Sequence, residues 1–94
     1  MKGQRLHLIV SGRVQGVGFR YFTYITGSNL NLHGWVRNRS NGDVEILAEG
    51  PDNILEAFIQ LIKKGPEMAH VTDVELEWSE AHQDLPPFTI RSTR

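Results

Sequence analysis

Ninety-four residues and a formal charge of −1 describe a chain with room for one hydrophobic core, not two. The absence of cysteine excludes disulfides, thiolate catalysis and cysteine-held zinc. No apolar run nears the ~20 residues of a membrane span, and Met1-Lys2-Gly3-Gln4-Arg5 leads into a strand rather than a secretion signal. A soluble, cytoplasmic single domain covering residues 1–94 is the expectation. The charge is unevenly placed. Lys2, Arg5, Arg13, Arg20, Arg37 and Arg39 stand in residues 1–42 without an acid among them, whereas all eleven acids follow from Asp43 onward. Either the first half meets an anionic partner, or the two halves pair their charges across the fold.

In chain order, Leu6, Leu8 and Val10 alternate as a half-buried strand from about Arg5 to Ser11. A glycine-rich loop with Gly12, Gly16 and Gly18 follows, then a helix carrying Phe19, Phe22 and Ile25 and ending near Asn31. Gly27, Ser28 and Asn29 are poor helix formers, which predicts weak last turns. Asn31 suits a left-handed cap. Gly34 to Asn38 reads as a second strand, Asn41-Gly42 as a hairpin turn, and Val44, Ile46 and Ala48 as the inner positions of a third strand. Gly50-Pro51-Asp52 opens a second helix with the apolar stripe Ile54, Leu55, Phe58, Leu61 and Ile62, and with Asp52 placed to cap it. Lys63, Lys64 and Gly65-Pro66 close it. Thr72 to Trp78 alternate as a fourth strand with an acidic outer face, and Phe88 to Arg91 form a short last one.

The order predicts an α+β fold, a split β-α-β sandwich in which an antiparallel sheet carries both helices on one face. Its buried positions would be Leu6, Leu8, Val10, Val36, Val44, Ile46, Val74 and Leu76 against Phe22, Ile25, Phe58 and Ile62.

Two stretches carry chemistry. Between the first strand and the first helix, Gln15, Gly16, Val17, Gly18 and Phe19 form a loop whose amides can point outward. Glycine permits the tight turn, and the helix dipole adds positive potential. Arg20 falls in the first helical turn, where a guanidinium can grip two oxygens together. The loop lacks both the phosphate-loop lysine and the third glycine of a dinucleotide motif, so a small anion is favoured over a nucleotide. Asn38 ends the second strand. Its parity with Val36 turns it toward the helix-covered face or its rim, from which it could reach the mouth of the loop. It could equally be a hairpin-capping amide. His7, His33, His70 and His82 stand singly and form no metal-ligand pattern, and Trp35 and Trp78 read as packing residues.

Gly12-Arg13-Val14-Gln15-Gly16-Val17-Gly18-Phe19-Arg20, taken with Gly34-Trp35-Val36-Arg37-Asn38 and Asn41-Gly42-Asp43-Val44-Glu45, closely resembles the acylphosphatase family. The likeness runs from about Arg5 to Arg91. It implies a ferredoxin-like βαββαβ fold and hydrolysis of the carboxyl-phosphate bond of acyl phosphates. It also implies a phosphate-binding role for Arg20 and a water-positioning role for Asn38. The loop from Gln15 to Phe19 would bind substrate. A small acyl phosphate as substrate, inorganic phosphate as product or inhibitor, and a monomer without cofactor, metal, nucleic acid or membrane are then expected. The rival reading is a non-catalytic anion- or nucleic-acid-binding module on the same fold. A fragment of a larger carbamoyl-transfer maturation protein is a third, for which 94 residues is short.

Overall fold

The computed structural model describes residues 3–94; Met1 and Lys2, and with them the Lys2 charge, lie outside the described residues. Seven elements follow in order: β1 (Gln4–Arg13), α1 (Phe19–Asn29), β2 (His33–Asn38), β3 (Val44–Gly50), α2 (Asp52–Lys64), β4 (His70–Glu80) and β5 (Thr89–Ile90). The predicted element order is the one found. β1 and β4 are longer than their alternation indicated, because each continues by pairing with the other, from Gln4 opposite Glu80 to Arg13 opposite His70.

The sheet order is β4-β1-β3-β2-β5. β1 pairs antiparallel with β3 and β4, and β2 pairs antiparallel with β3. β3 thus stands between β1 and β2. The sheet is not wholly antiparallel, for β5 runs parallel to β2. The reason is positional. β4 ends beside Gln4, at the end of the sheet where β2 begins, so the chain crossing that end enters beside β2 in the same direction. Pro86 accepts a hydrogen bond from the Gly34 N–H during this crossing.

Even-numbered residues of β1, β2 and β3 share one face. Leu6, Leu8, Val10, Val36, Val44, Ile46 and Ala48 are buried there with Phe19, Leu55, Phe58, Ile59 and Ile62. Of the expected core, Leu76 is 40% and Ile25 36% exposed, Val74 and Phe22 are only partly buried against the cluster, and Leu61 of the α2 stripe is 42% exposed. Leu76 sits on β4, an edge strand with no neighbour on its outer side. α1 buries Phe19, Thr23 and Gly27, with Phe22 packed half-buried beside them and Ile25 turned outward. The buried Thr23 hydroxyl is satisfied by donating to the Phe19 carbonyl oxygen at 2.9 Å.

Gly27 is no flaw in α1. A Cβ there would stand 2.6 Å from Cδ2 of the buried Phe88 ring, so the missing side chain lets β5's approach close over the helix. The C-terminus is also well held. Asn31 takes φ 58, as its residue type predicted, while its N–H donates to Ser28 and that of Leu32 to Gly27. This pair of bonds satisfies carbonyls that a helix end otherwise leaves open. At α2, Pro51 rather than Asp52 holds the cap position, and Asp52 makes no capping hydrogen bond. Its carboxylate acts through its charge beside the positive helix end.

The other face of the sheet joins the two halves electrostatically. Arg5 reaches Glu49 and Asp84, each at 2.6 Å. Glu45 meets His7 at 2.7 Å and Arg37 at 2.8 Å, with Arg39 at 3.8 Å. Arg37 and Arg91 also lie over the Trp35 ring, which is buried as a packing residue. Much of the first half's positive charge is therefore paired across the fold. Arg13 and Arg20 make no ion pair among the described residues.

Burial alone would raise the Glu45 carboxyl, yet hydrogen bonds and charge from His7 and Arg37 outweigh it and hold its pKa below the ordinary 4.5. Glu49 behaves alike: burial opposes, while the His82 and Gln83 N–H groups and Arg5 lower it. As pH falls below 4.5 the unfolded chain takes up these protons before the folded one does, so stability is lost through the acid range. Urea midpoints measured from pH 7 to about pH 3 should fall accordingly. Glu49→Gln should lower the pH 7 midpoint and flatten the acid decline; an unchanged slope would contradict the assignment. Gly27→Ala, which in an exposed helix would gain about 1 kcal/mol, should instead lose about 1–2 kcal/mol in denaturant unfolding, because it overpacks Phe88.

Candidate active site

Val10, Val44 and Asn38 lie in one row across β1, β3 and β2. With strands ~4.8 Å apart, Asn38 stands about 10 Å from the end of β1. Side chains alternate along a strand, so all three face the helices. The chain leaving β1 turns back over this same end of the sheet to begin α1. The loop and Asn38 thus meet because β3 sets them two strand spacings apart.

The turn depends on Gly16 and Gly18, at φ 73 and 78. A side chain disfavours these angles. No atom lies within 4 Å of where a Cβ would stand at either position, so the space beside the backbone is open. Gly18 caps α1 in the left-handed conformation, with no side-chain capping bond and no acid in the first turn. The N–H groups of Gln15, Gly16, Val17, Gly18 and Phe19 donate to no protein acceptor among the described residues. Unpaired amides at a helix start, with the dipole behind them, favour an anion.

Gly16, Gly18, Phe19, Arg20 and Asn38 line one cavity of about 310 Å3, together with Val14, Tyr21 and Ile90. Arg20 supplies its single charged side chain. Asn38 is 9% exposed, and its Oδ1 is the one buried side-chain polar atom without a partner among the described residues. An orphaned buried acceptor costs about 1–3 kcal/mol, and a water or ligand donor is the usual remedy. The β2–β3 turn fixes this strand end: Arg39 N–H donates to Asp43, and Asp43 N–H to the Asn41 side chain. Arg94 N–H donates to the Asn38 carbonyl oxygen at 2.9 Å.

Two loop residues expected to bind substrate are placed differently from the rest. Gln15 and Val17 do not line the cavity. Val17 packs against the core. The Gln15 side-chain amide donates to the carbonyl oxygens of Arg39 and Asp43, both at 2.8 Å, and so ties the loop to the turn after Asn38. The sequence held a faint sign of this: Gln15 is the one amide in the loop, and the turn has carbonyls to satisfy. Tyr21, Val14 and Ile90 escaped the sequence reading. Tyr21 was legible as an aromatic beside Arg20, but Ile90 comes to the site through a long-range crossing that no local pattern records.

A second cavity of about 300 Å3, bordered by Gly3, His33, Glu49 and Gln83, lies at the opposite end of the sheet. Its acid, Glu49, is already occupied by Arg5 and two main-chain N–H groups. Among the described residues no three histidines and acids gather to hold a metal ion, and no helix is long and apolar enough to cross a membrane.

Residues 6–90 match the acylphosphatase family model. The chain is 47% identical over 83 residues to the acylphosphatase of Bacillus subtilis, covering 88% of this chain and 91% of that one. It is 43% identical over 88 residues to that of Salinibacter ruber, covering 94% and 93%. The crystal structure of the Bacillus subtilis acylphosphatase superposes with a TM-score of 0.91 over 94% of this chain and 98% of that chain. Full-length HypF, crystallised in a phosphate- and nucleotide-bound form, matches with a TM-score of 0.88 at 32% identity, over 98% of this chain but 12% of that one. The two sequence stretches with their separation, the βαββαβ sheet and these likenesses agree: the chain belongs to the acylphosphatase family.

Proposed function

We propose that the chain hydrolyses acyl phosphates to a carboxylate and inorganic phosphate, within one domain and without a metal or cofactor. The observation that carries this is the shared cavity: Arg20 and the loop residues Gly16, Gly18 and Phe19 face it together with the unpartnered Oδ1 of Asn38. The unpaired amides and the Arg20 guanidinium bind the phosphoryl oxygens. Gln15 and Val17 serve through the loop: Val17 through its main chain, and Gln15 chiefly by holding the loop against the turn.

The chemistry asks little more. The leaving group is a carboxylate, already a weak base, so no general acid is required. Phosphoryl transfer passes through a loose state in which positioning and charge stabilisation do most of the work. Asn38 accepts from the attacking water through Oδ1, and its Nδ2 donates to the substrate or to that water. The water oxygen forms a bond to phosphorus as the bond to the acyl oxygen breaks. A neutral amide is too weak a base to take the proton, which passes to a substrate oxygen. Every cavity residue comes from one chain, so a monomer suffices. The cysteine-free composition fits the cytoplasm. Pairing of Arg5, Arg37 and Arg39 with Glu49, Asp84 and Glu45 removes the main support for a nucleic-acid-binding module.

Losing a donor to a developing oxyanion costs about 10²–10³ in rate. Arg20→Ala should lose at least that in acetyl phosphate hydrolysis assayed without added metal, and Arg20→Lys should regain little, since a single ammonium cannot reproduce the two-pronged grip. Turnover close to wild type in either variant would refute the role. Asn38→Ala should abolish most hydrolysis while inorganic phosphate still inhibits the residual activity at a similar concentration; loss of phosphate binding would instead make Asn38 a structural residue.

A further inference from the structure

A water held by Asn38 is placed no better than Asn38 itself. Arg39 N–H donates to the Asp43 carbonyl oxygen at 2.8 Å. Bonded and unbonded pairs alternate along antiparallel strands, so the next pair, Asn38 opposite Val44, exchanges no main-chain bond. The Asn38 main-chain carbonyl turns instead to the outer edge of β2, where it accepts from Arg94. Against β3, then, Asn38 is held through its two neighbours, Arg37 and Arg39. Both of their side chains reach one group. Glu45 stands directly opposite Arg37. Its Oε1 accepts from Arg37 Nε at 2.8 Å and lies 3.8 Å from Arg39 Nη1. Its Oε2 meets His7 Nε2 of β1 at 2.7 Å, which fixes the carboxylate from the other side. Glu45 is 7% exposed, and its pKa, held below 4.5, leaves it ionised at neutral pH. It lies on the sheet face turned away from the helices and does not line the cavity.

We infer that Glu45 is a positioning residue: by clasping Arg37 and Arg39 it fixes the main chain of Asn38 against β3, and so fixes where the attacking water sits. This rests on the hydrolase reading above. Breaking a buried ion pair is destabilising wherever it lies, so a second carboxylate supplies the comparison. Glu49 stands on the same strand and face and is 6% exposed. It accepts from Arg5 and from the His82 and Gln83 N–H groups. The two acids match in burial and in being paired. They differ in place, for Glu49 and its partners lie at the opposite end of the sheet from Asn38.

The test measures kcat and KM for acetyl phosphate, inhibition by inorganic phosphate, and urea midpoints, in Glu45→Ala and Glu49→Ala, at a temperature where circular dichroism shows the variants folded. Both should lose stability. Glu45→Ala alone should also lose about ten- to a hundredfold in kcat, since about 1 Å of misplacement can cost about 10²-fold. KM and phosphate inhibition should follow wild type, because the loop and Arg20 hold the phosphate. Glu45→Gln can still accept from Arg37 and donate to His7, so it should recover part of kcat. Should the alanine variant fail to fold, Glu45→Gln set against Glu49→Gln makes the same comparison. Arg37→Ala should lower kcat as Glu45→Ala does, and combining the two should cost little more, as befits two halves of one contact. Equal kcat in the Glu45 and Glu49 variants, losses that add in full in the double substitution, or a glutamine no better than alanine would overturn this inference alone. Absence of hydrolysis by the wild type would overturn the hydrolase reading and this inference with it.

Discussion

The arrangement depends on a few main-chain N–H groups that have no protein acceptor. In the sheet interior and the helix bodies the backbone is paired, as a buried chain requires. Between β1 and α1 the left-handed angles of Gly16 and Gly18 turn the amides outward, and no side chain caps the helix. Such a loop is stable only because the elements on either side are fixed. β1 is paired on both edges, and the first residue of α1, Phe19, is buried against the core. The left-handed glycines and the open donors of this loop lie together on the cavity that Arg20 and Asn38 also line.

Asn38 supplies the complement. It lies on the helix-facing side of the sheet, where other residues of its row are valines, and its side-chain Oδ1 is left without a donor among the described residues. Gln15 sets the distance between the two parts. By donating to Arg39 and Asp43 it makes the loop and the end of β2 a single unit, though the two are separated by the whole of α1. A cluster of cations alone would have served as well for anion binding. The pairing of an open acceptor with open donors across one cavity gives the site two chemically different sides, which on the proposed reading take phosphate and water.

Much of this could be read from the residues. Alternation in Leu6, Leu8 and Val10 and in Val44, Ile46 and Ala48 placed the inner face correctly, and the glycine spacing with Arg20 located the loop. Asn38 was assigned its face by parity alone. What escaped reading was set by distant parts of the chain. Leu76 looked like core because its strand alternates, but its exposure follows from β4 lying at an edge, a property of strand order. Ile25 looked inward by helical period, yet Gly27 draws α1 against Phe88 and rotates the packing face onto Phe19 and Thr23. The direction of β5, and hence Ile90's place on the cavity wall, follows from where β4 happens to end.

The pairing of Asn38 with Arg94 has a bearing on how the molecule is made. Arg20 and Asn38 leave the ribosome early, and α1 can form while synthesis continues. The outer edge of β2 stays bare until the segment after β4 has emerged, for Arg91 pairs with Val36 and Arg94 with Asn38. The segment that carries Arg91 and Arg94 therefore seals the strand end that holds the carboxamide, and a nascent chain acquires that finished strand edge only after this segment has emerged.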